Sequence, residues 1–158
     1  MRILFLGDVV GISGCSKLTS SLLSEIKSKK IDFVIANGEN AAAQGVGLTE
    51  EICKDFYNCG VNVITTGNHV WDQKEIMKYI EKEERLLRPK NLFEPAPGRG
   101  FQIFKTDKNI RVGVLNLMGN VFMKKCEDVF ETSKKFLSEY NLKDDYDLLV
   151  VDFHGEIT

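Results

Sequence analysis

The sequence predicts an α/β protein with a largely parallel sheet to which a β-hairpin is added. Short apolar runs alternate with amphipathic helical patterns through the first half of the 158 residues. This alternation is typical of helices that cover a parallel sheet. Two further apolar runs flank Asp107-Lys108-Asn109, and this spacing indicates an antiparallel hairpin.

The first half of the chain contains three predicted strands, each followed by a predicted helix. The strands are short apolar runs at residues 2–6, 32–36 and 61–65. Ser16 is expected to cap the first helix and Thr49 the second, because both side chains can accept a backbone N–H. The helices are predicted at residues 17–30, from residue 50 to Gly60, and at 73–83.

The second half departs from this alternation. Pro89, Pro95 and Pro97 predict an irregular connection after the third helix. The hairpin strands follow at residues 101–106 and 110–117. A helix is then predicted from the apolar spacing between residues 126 and 140, and a last strand at residues 147–153.

Composition and charge restrict the class of protein. A length of 158 residues suits one domain, residues 1–158, and a net charge of −2 argues against stable nucleic-acid binding. The apolar run at residues 3–6 is too short for a signal peptide, and no run is long enough to cross a membrane. The four cysteines have no CxxC spacing, so we expect reduced thiols and a cytoplasmic protein.

Polar residues follow the predicted strands at the points where a ligand site is expected. In open α/β sheets the carboxyl ends of the strands share one edge, and ligands bind there. Residues 7–8, 37–40 and 66–69 follow the first three strands, and a histidine follows the last one. We therefore expect one cluster made of Asp8, Glu39, Asn40, Asn68, His69 and His154.

Each of these residues, taken alone, also has a structural explanation. Asp8 could be a helix cap or a turn former, and the Asn68-His69 pair could form a turn. The complete set is costly to gather at one edge unless a cation offsets the loss of hydration. Carboxylate, amide and imidazole donors without thiolate suit iron, manganese or zinc. Two such ions about 3.5–4 Å apart are the usual arrangement for phosphoryl hydrolysis.

Three segments carry a resemblance to a known family. GDVVG near the start, NGEN after the second strand and TTGNHVWD after the third resemble the YmdB-like metallophosphoesterases of the calcineurin-like superfamily. The similarity runs from Met1 to His154. It implies the N-terminal part of a calcineurin-like sandwich. It also implies a dinuclear-metal phosphodiesterase acting on small phosphate esters, such as cyclic nucleotides or nucleotides.

The resemblance also implies roles for individual residues and two divalent ions as cofactors (iron, manganese or zinc). Asp8 and Asn40 would hold one ion, Asn68 and His154 the other, and Glu39 would bridge both. His69 would stand beside the scissile phosphate, where it would protonate the leaving oxygen or neutralise developing charge.

The sequence departs from the family pattern in two ways. Val10 occupies the place of a histidine in the wider superfamily, a difference that the YmdB-like branch shares. Family members also continue into a GTHTHV-like segment whose histidines complete both metals, whereas this chain has only His69 and His154. The domain is therefore expected to be incomplete at its C-terminal end. A non-catalytic truncated domain is the alternative reading, and self-association into a homo-oligomer through uncovered apolar surface is expected.

Two further motifs have other interpretations. The glycines Gly7, Gly11 and Gly14 do not match a dinucleotide or P-loop pattern, so a nucleotide loop is not favoured. Trp71 and Asp72 are expected to anchor the loop that carries His69 and to cap the following helix. Stacking of a substrate on Trp71 is an alternative for that side chain.

Overall fold

The computed structural model describes residues 1–93 and 95–155 and places six strands and four helices in them. No helix of that part is long and apolar enough to span a membrane. In chain order the elements are β1 (Ile3–Leu6), α1 (Gly11–Lys29), β2 (Phe33–Asn37), α2 (Glu50–Asn58), β3 (Val63–Thr65), α3 (Ile76–Ile80), β4 (Phe101–Lys105), β5 (Arg111–Met118), α4 (Val129–Glu139) and β6 (Leu148–His154).

The strands form two sheets of three strands each. The first sheet has the order β1-β2-β3 and is parallel throughout. The second has the order β4-β5-β6, with β4 antiparallel to β5 and β6 parallel to it. The predicted α/β sandwich with a parallel sheet and a hairpin is thus confirmed, and the hairpin belongs to the second sheet.

The layer between the two sheets is apolar along most of its length and polar at one end. Phe33 and Ile35 of β2 pack in one cluster with Val114 of β5. Alternate side chains of a strand point to the same face, so the next positions in these rows are Asn37 and Asn116. On β6 the same row runs Leu148, Val150, Asp152 and His154. The polar end of the layer is therefore the carboxyl end of all three strands.

Helices cover the outer faces of both sheets. Leu22 of α1, Phe56 of α2 and Ile80 of α3 pack with the outward side chains of the first sheet in one buried cluster. On the second sheet, Phe136 of α4 lies against Phe101 of β4 with ring centroids 4.7 Å apart. These helices give both sheets an apolar support, so that the loops at the strand ends are free to carry polar groups.

The first helix begins earlier than its sequence pattern predicted. α1 starts at Gly11, so Ser16 lies inside the helix and is not its N-cap. The loop before it is fixed by the backbone instead, because the N–H of Val9 donates to the carbonyl of Asn37 (2.9 Å) and that of Gly11 to Asn40 (2.8 Å). The loop after β1 is thereby tied to the loop after β2.

Four other elements can be compared with the prediction. Thr49 does cap α2, since its hydroxyl accepts the N–H of Ile52. α3 is shorter than predicted, and α4 begins at Val129 because the carboxylate of Asp128 caps it. β6 extends one residue further than predicted, so that His154 is its last residue.

An ion pair fixes the amino end of β6, opposite the polar end. Arg111 donates to Asp147 from its guanidinium group (3.0 Å) and from its backbone N–H (2.8 Å). These hydrogen bonds lower the pKa of the Asp147 carboxyl from 3.8 to about 2. The ionised carboxylate therefore stabilises the folded chain above its unfolded pKa, and this contribution is lost as the pH falls through about 2.

We expect Asp147→Asn to lower the urea midpoint of the chain at neutral pH and to lose this effect in acid. The reason is that wild type and variant differ only while the carboxylate is ionised. Urea unfolding of both proteins, followed from neutral pH down to about pH 2, measures the difference. A gap between the two midpoints that stays constant over this range would contradict the assignment.

Candidate functional site

The six residues singled out by the sequence lie at the carboxyl ends of four strands. Asp8 follows β1, Glu39 and Asn40 follow β2, and Asn68 follows β3. His69 is next to Asn68, and His154 closes β6 in the other sheet. Direct contacts link all six side chains or their backbones into one group. Both sheets therefore contribute to the cluster, the first sheet with five residues and the second with one.

Asn40 joins the two carboxylates. Its amide nitrogen donates to Asp8 Oδ1 at 3.0 Å and to Glu39 Oε1 at 3.3 Å. Glu39 is only 2% exposed, whereas Asp8 is open to solvent. No Lys or Arg side chain of the described residues forms an ion pair with either carboxylate. Two acids thus converge at this edge without a basic partner from the first sheet.

His154 joins the same cluster from the second sheet. Its Nε2 lies 2.9 Å from Glu39 Oε1 and 3.0 Å from Asn68 Oδ1, and both are acceptors, so Nε2 carries a proton here. Burial by itself would lower the pKa of His154. The hydrogen bond to Glu39 and the negative charges of Glu39, Asp152 and Asp8 outweigh burial and raise it. The Nε2–H of this imidazole thus bridges Glu39 and Asn68.

His69 is held by the carboxylate of Asp72, a residue for which the sequence predicts a helix cap. Its Nδ1 lies 2.6 Å from Asp72 Oδ2, and its backbone N–H donates to Glu39 Oε2. The hydrogen bond with His69, together with Lys124 nearby, lowers the pKa of Asp72. The ionised carboxylate can only accept, so Nδ1 carries the proton and Nε2 of His69 is the nitrogen left for a substrate.

Asp72 and Lys124 are therefore site residues that the sequence reading missed. The prediction that Asp72 caps the next helix is wrong, because α3 begins at Ile76 with Glu75 as its N-cap. A turn brings Asp72 back to His69, with its N–H on the carbonyl of His69 at 3.0 Å. The His-x-x-Asp spacing was the available signal. Lys124, in a loop distant in sequence, donates to Asp72 (3.2 Å) and to the carbonyl of Asn68 (2.9 Å). No sequence pattern predicts these two contacts.

Trp71 anchors the loop as predicted, since its partly buried ring packs against the core beneath the helices. Gly67 gives this loop its close approach to the cluster. A Cβ at this position would overlap the carboxylate of Glu39 and the ring of His154. Only a residue without a side chain lets the β3 loop pass between them.

The side chains of the cluster are of the chemical types that bind divalent cations. The amide oxygen of Asn40 is buried and has no hydrogen-bond partner among the described residues, although its nitrogen is fully used. Carboxylate, amide and imidazole groups are ligands for iron, manganese and zinc. Within residues 1–93 and 95–155, no three His, Cys, Asp or Glu side chains lie close enough to hold an ion by themselves. An ion at this edge would therefore need further donors, such as the amide oxygens of Asn40 and Asn68 or groups from outside the described residues.

Comparison with protein families and curated proteins gives consistent matches. The model of the YmdB-like protein family matches residues 4–158. The chain is 40% identical over 159 residues to a Bacillus subtilis protein named 2',3'-cyclic-nucleotide 2'-phosphodiesterase. It is 36% identical over 165 residues to a Mycoplasma pneumoniae protein named putative phosphatase/phosphodiesterase. The whole chain is covered in both cases, and it spans 58% and 56% of the length of these relatives.

Solved structures show the same fold. A hypothetical protein from Thermus thermophilus superposes with a TM-score of 0.89 at 33% identity, over 99% of this chain and 59% of that one. A structure described as a novel phosphatase from Mycoplasma pneumoniae superposes with a TM-score of 0.87 at 31% identity, over 99% of this chain and 56% of that one. Sequence and fold thus point to one set of relatives.

Proposed function

The chain belongs to the YmdB-like family, and from this membership we propose that it forms the larger part of a metal-dependent phosphoesterase. The observation that carries the proposal is the cluster at the strand ends, where acids, amides and imidazoles converge beside an oriented His–Asp pair. The names of the relatives from Bacillus subtilis and Mycoplasma pneumoniae support phosphodiester or phosphate-ester hydrolysis.

The proposed cofactors are two divalent ions of iron, manganese or zinc. Bound ions of this kind neutralise phosphate charge and lower the pKa of water so that it can attack. The proposed ligands are Asp8 and Asn40 for one ion, Asn68 and His154 for the other, and Glu39 for both. Within residues 1–93 and 95–155, the amide oxygen of Asn40 has no hydrogen-bond partner and the two carboxylates have no Lys or Arg partner, and this supports the assignment.

His69 is the proposed catalytic residue. Its Nδ1 is engaged by Asp72 at 2.6 Å, so the ring is held with Nε2 as its free nitrogen. A protonated ring in this orientation can give the Nε2 proton to the leaving oxygen or hydrogen-bond to the charge that builds on the phosphate. The carboxylate of Asp72 accepts from Nδ1 and fixes the orientation of the ring, and Lys124 holds Asp72 in place.

The proposed substrates are small phosphate esters, with cyclic nucleotides and nucleotides as the first to be tested. The relative from Bacillus subtilis is named for 2',3'-cyclic nucleotides, and this supports the choice. The site sits in loops at the strand ends, where the described part of the chain contributes Lys124 as a basic side chain. A net charge of −2 is consistent with a small ligand and not with a long nucleic-acid backbone.

We expect Asp72→Asn to lower the turnover of an active protein by about 10–100-fold, the usual effect of removing an outer-shell group at a metal site. The amide is not a purely accepting group like the carboxylate, and it can turn its NH2 group toward Nδ1, so the orientation of the ring is no longer fixed. Metal content should stay unchanged, since Asp72 is not a proposed ligand. Steady-state kinetics on bis-p-nitrophenyl phosphate with metal analysis measures both quantities. Asp107→Asn, in the exposed turn between β4 and β5, is the matched control, and equal rates for both variants would rule out the orienting role.

The 158-residue chain is proposed to be one incomplete domain whose remaining metal donors come from outside it. The chain has only two histidines and spans 58% of its Bacillus subtilis relative. The small number of histidines is also the observation that favours the alternative, a non-catalytic domain that binds metal weakly. Both readings give the isolated chain the same fold, and they differ in whether added polypeptide restores hydrolysis.

We expect the isolated 158-residue chain to hold fewer than two tightly bound ions and to be a poor catalyst. Apolar side chains are also left open on the edge strands, with Phe153 of β6 56% and Phe5 of β1 41% exposed. Self-association through this surface is expected, because patches of this kind are normally covered. Metal analysis after chelator-free purification, light scattering and a diesterase assay with added manganese test these points. Two tight ions per chain with full turnover would overturn the proposal of missing donors.

A further inference from the structure

We infer that Asn37 and Asp152 form a positioning pair that fixes the two halves of the site relative to each other. The first sheet carries five of the six cluster residues, and the second sheet carries His154 alone. A structural link between the sheets must therefore set the distance between Glu39 and His154. The inference rests on the proposed function only where it predicts an effect on metal binding.

The pair is a buried hydrogen bond that crosses between the sheets. Asn37 Nδ2 donates to Asp152 Oδ2 at 3.0 Å, over a separation of 115 residues in sequence. Asn37 is 3% and Asp152 8% exposed. The rows below them in the same layer are apolar, with Ile35 on one side and Val150 on the other. The pair therefore occupies the first polar row beneath the site.

Each partner is tied directly to a proposed metal ligand. Asn37 accepts the backbone N–H of Glu39 on its amide oxygen at 3.2 Å, while its amide nitrogen holds Asp152. Asp152 stands two residues before His154 on β6, so both side chains lie on the same face of the strand. One amide thus connects the turn that presents Glu39 to the strand that presents His154.

Asn116 of β5 makes a second link at the same level. Its amide oxygen accepts the N–H of Thr66 at 3.0 Å, just before the loop that carries Asn68. Its amide nitrogen donates to the carbonyl of Asp152 at 3.4 Å, and the two residues are register partners. The loops after β2 and β3 are therefore both fastened to the second sheet through this one row.

Stability alone does not explain a buried carboxylate at this position. Replacing a buried polar pair by well-packed apolar residues is often neutral or stabilising, and the neighbouring rows show that apolar residues fit the layer. Asp152 is also a third carboxylate that acts on the His154 ring, in addition to Glu39 and Asp8. Such an accumulation of acids is favourable beside a bound cation and unfavourable without one.

A double-mutant cycle on the chain tests the pair, with Asp152→Asn, Asn37→Asp and the combined swap. Asp152→Asn is nearly isosteric but removes the charge, and Asn37→Asp places two carboxylates face to face. The swap restores one carboxylate and one amide with the hydrogen bond reversed. Asp147→Asn is the matched control, since it makes the same change at the amino end of β6. The readouts are hydrogen exchange of the Glu39 amide in metal-free protein and the affinity for added Mn²⁺.

We expect Asp152→Asn to speed exchange of the Glu39 amide relative to that of Ile35 and to lower Mn²⁺ affinity by about 10–100-fold, as for other groups that support metal ligands. The swap should recover much of the loss caused by Asn37→Asp, and the control should change neither readout. If Asn37→Asp does not fold, the nearly isosteric Asp152→Asn decides alone.

Failure of the proposed metal site and failure of the positioning pair give different results. Absence of Mn²⁺ binding by the wild-type chain would count against the proposed metal site, and the exchange measurement would still decide the pair. Exchange at Glu39 in Asp152→Asn that matches the Asp147→Asn control would overturn the positioning role, because Asp152 is too distant in sequence to act on Glu39 except through the fold.

Discussion

Replacement of Glu39 by alanine is expected to strip the metal ions from an active protein that contains this chain, and to abolish hydrolysis with them. Glu39 is 2% exposed, and its two oxygens face Asn40, His154 and the backbone of His69. A carboxylate shared by two ions cannot be lost without weakening both. Metal analysis of protein purified without chelator and turnover of bis-p-nitrophenyl phosphate measure the two effects together.

The control for this variant is Glu131→Ala on α4, where the exposed carboxylate pairs with Lys134. Surface pairs of this kind contribute little, about 0–1 kcal/mol. Metal content and rate should therefore match the wild type in the control. A Glu39→Ala protein that keeps both ions would show that the carboxylate does not bridge them.

Replacement of His69 by alanine is expected to have the opposite pattern. The rate should fall by about 10²–10⁴-fold, the usual contribution of a positioned acid or base, while metal content stays close to that of the wild type. The expectation follows from the contacts of the ring. Its Nδ1 lies 2.6 Å from Asp72 Oδ2, and its Nε2 has no hydrogen-bond partner among the described residues. Single-turnover kinetics on the same diester, with metal analysis of the same preparation, checks it.

The two variants together separate ligands from catalytic groups. Loss of metal in His69→Ala would make the imidazole a ligand, and an unchanged rate would remove it from the reaction. Asp72→Asn should fall between the wild type and His69→Ala in rate. The order of the three rates therefore tests whether the His69–Asp72 pair works as a unit.

The sequence could predict the location of the cluster because the underlying physics is local. A short apolar run followed by Gly7-Asp8, or by Gly38-Glu39, identifies a buried strand and its carboxyl end. Parallel neighbours bring such ends to one edge, and the first sheet does so in the order β1-β2-β3. The metal and catalytic roles of these residues came from the family resemblance, and they stay predictions that the variants above test.

Other features depend on contacts between distant parts of the chain, which no local pattern contains. The start of α1 is set by backbone hydrogen bonds to the loop after β2, so the polar Ser16 was a misleading cap. Lys124 reaches Asp72 across 52 residues, and Asn37 reaches Asp152 across 115. The pairing of the two sheets had to be known before these side chains could be placed in the site.

Anomalous X-ray diffraction from crystals of the protein grown with Mn²⁺ tests most directly whether the cluster at the strand ends is a metal site. We expect anomalous density in contact with Glu39, with the amide oxygen of Asn40 turned toward it. Density found only elsewhere, with the Asn40 amide nitrogen still donating to Asp8 and Glu39 at saturating Mn²⁺, would contradict it.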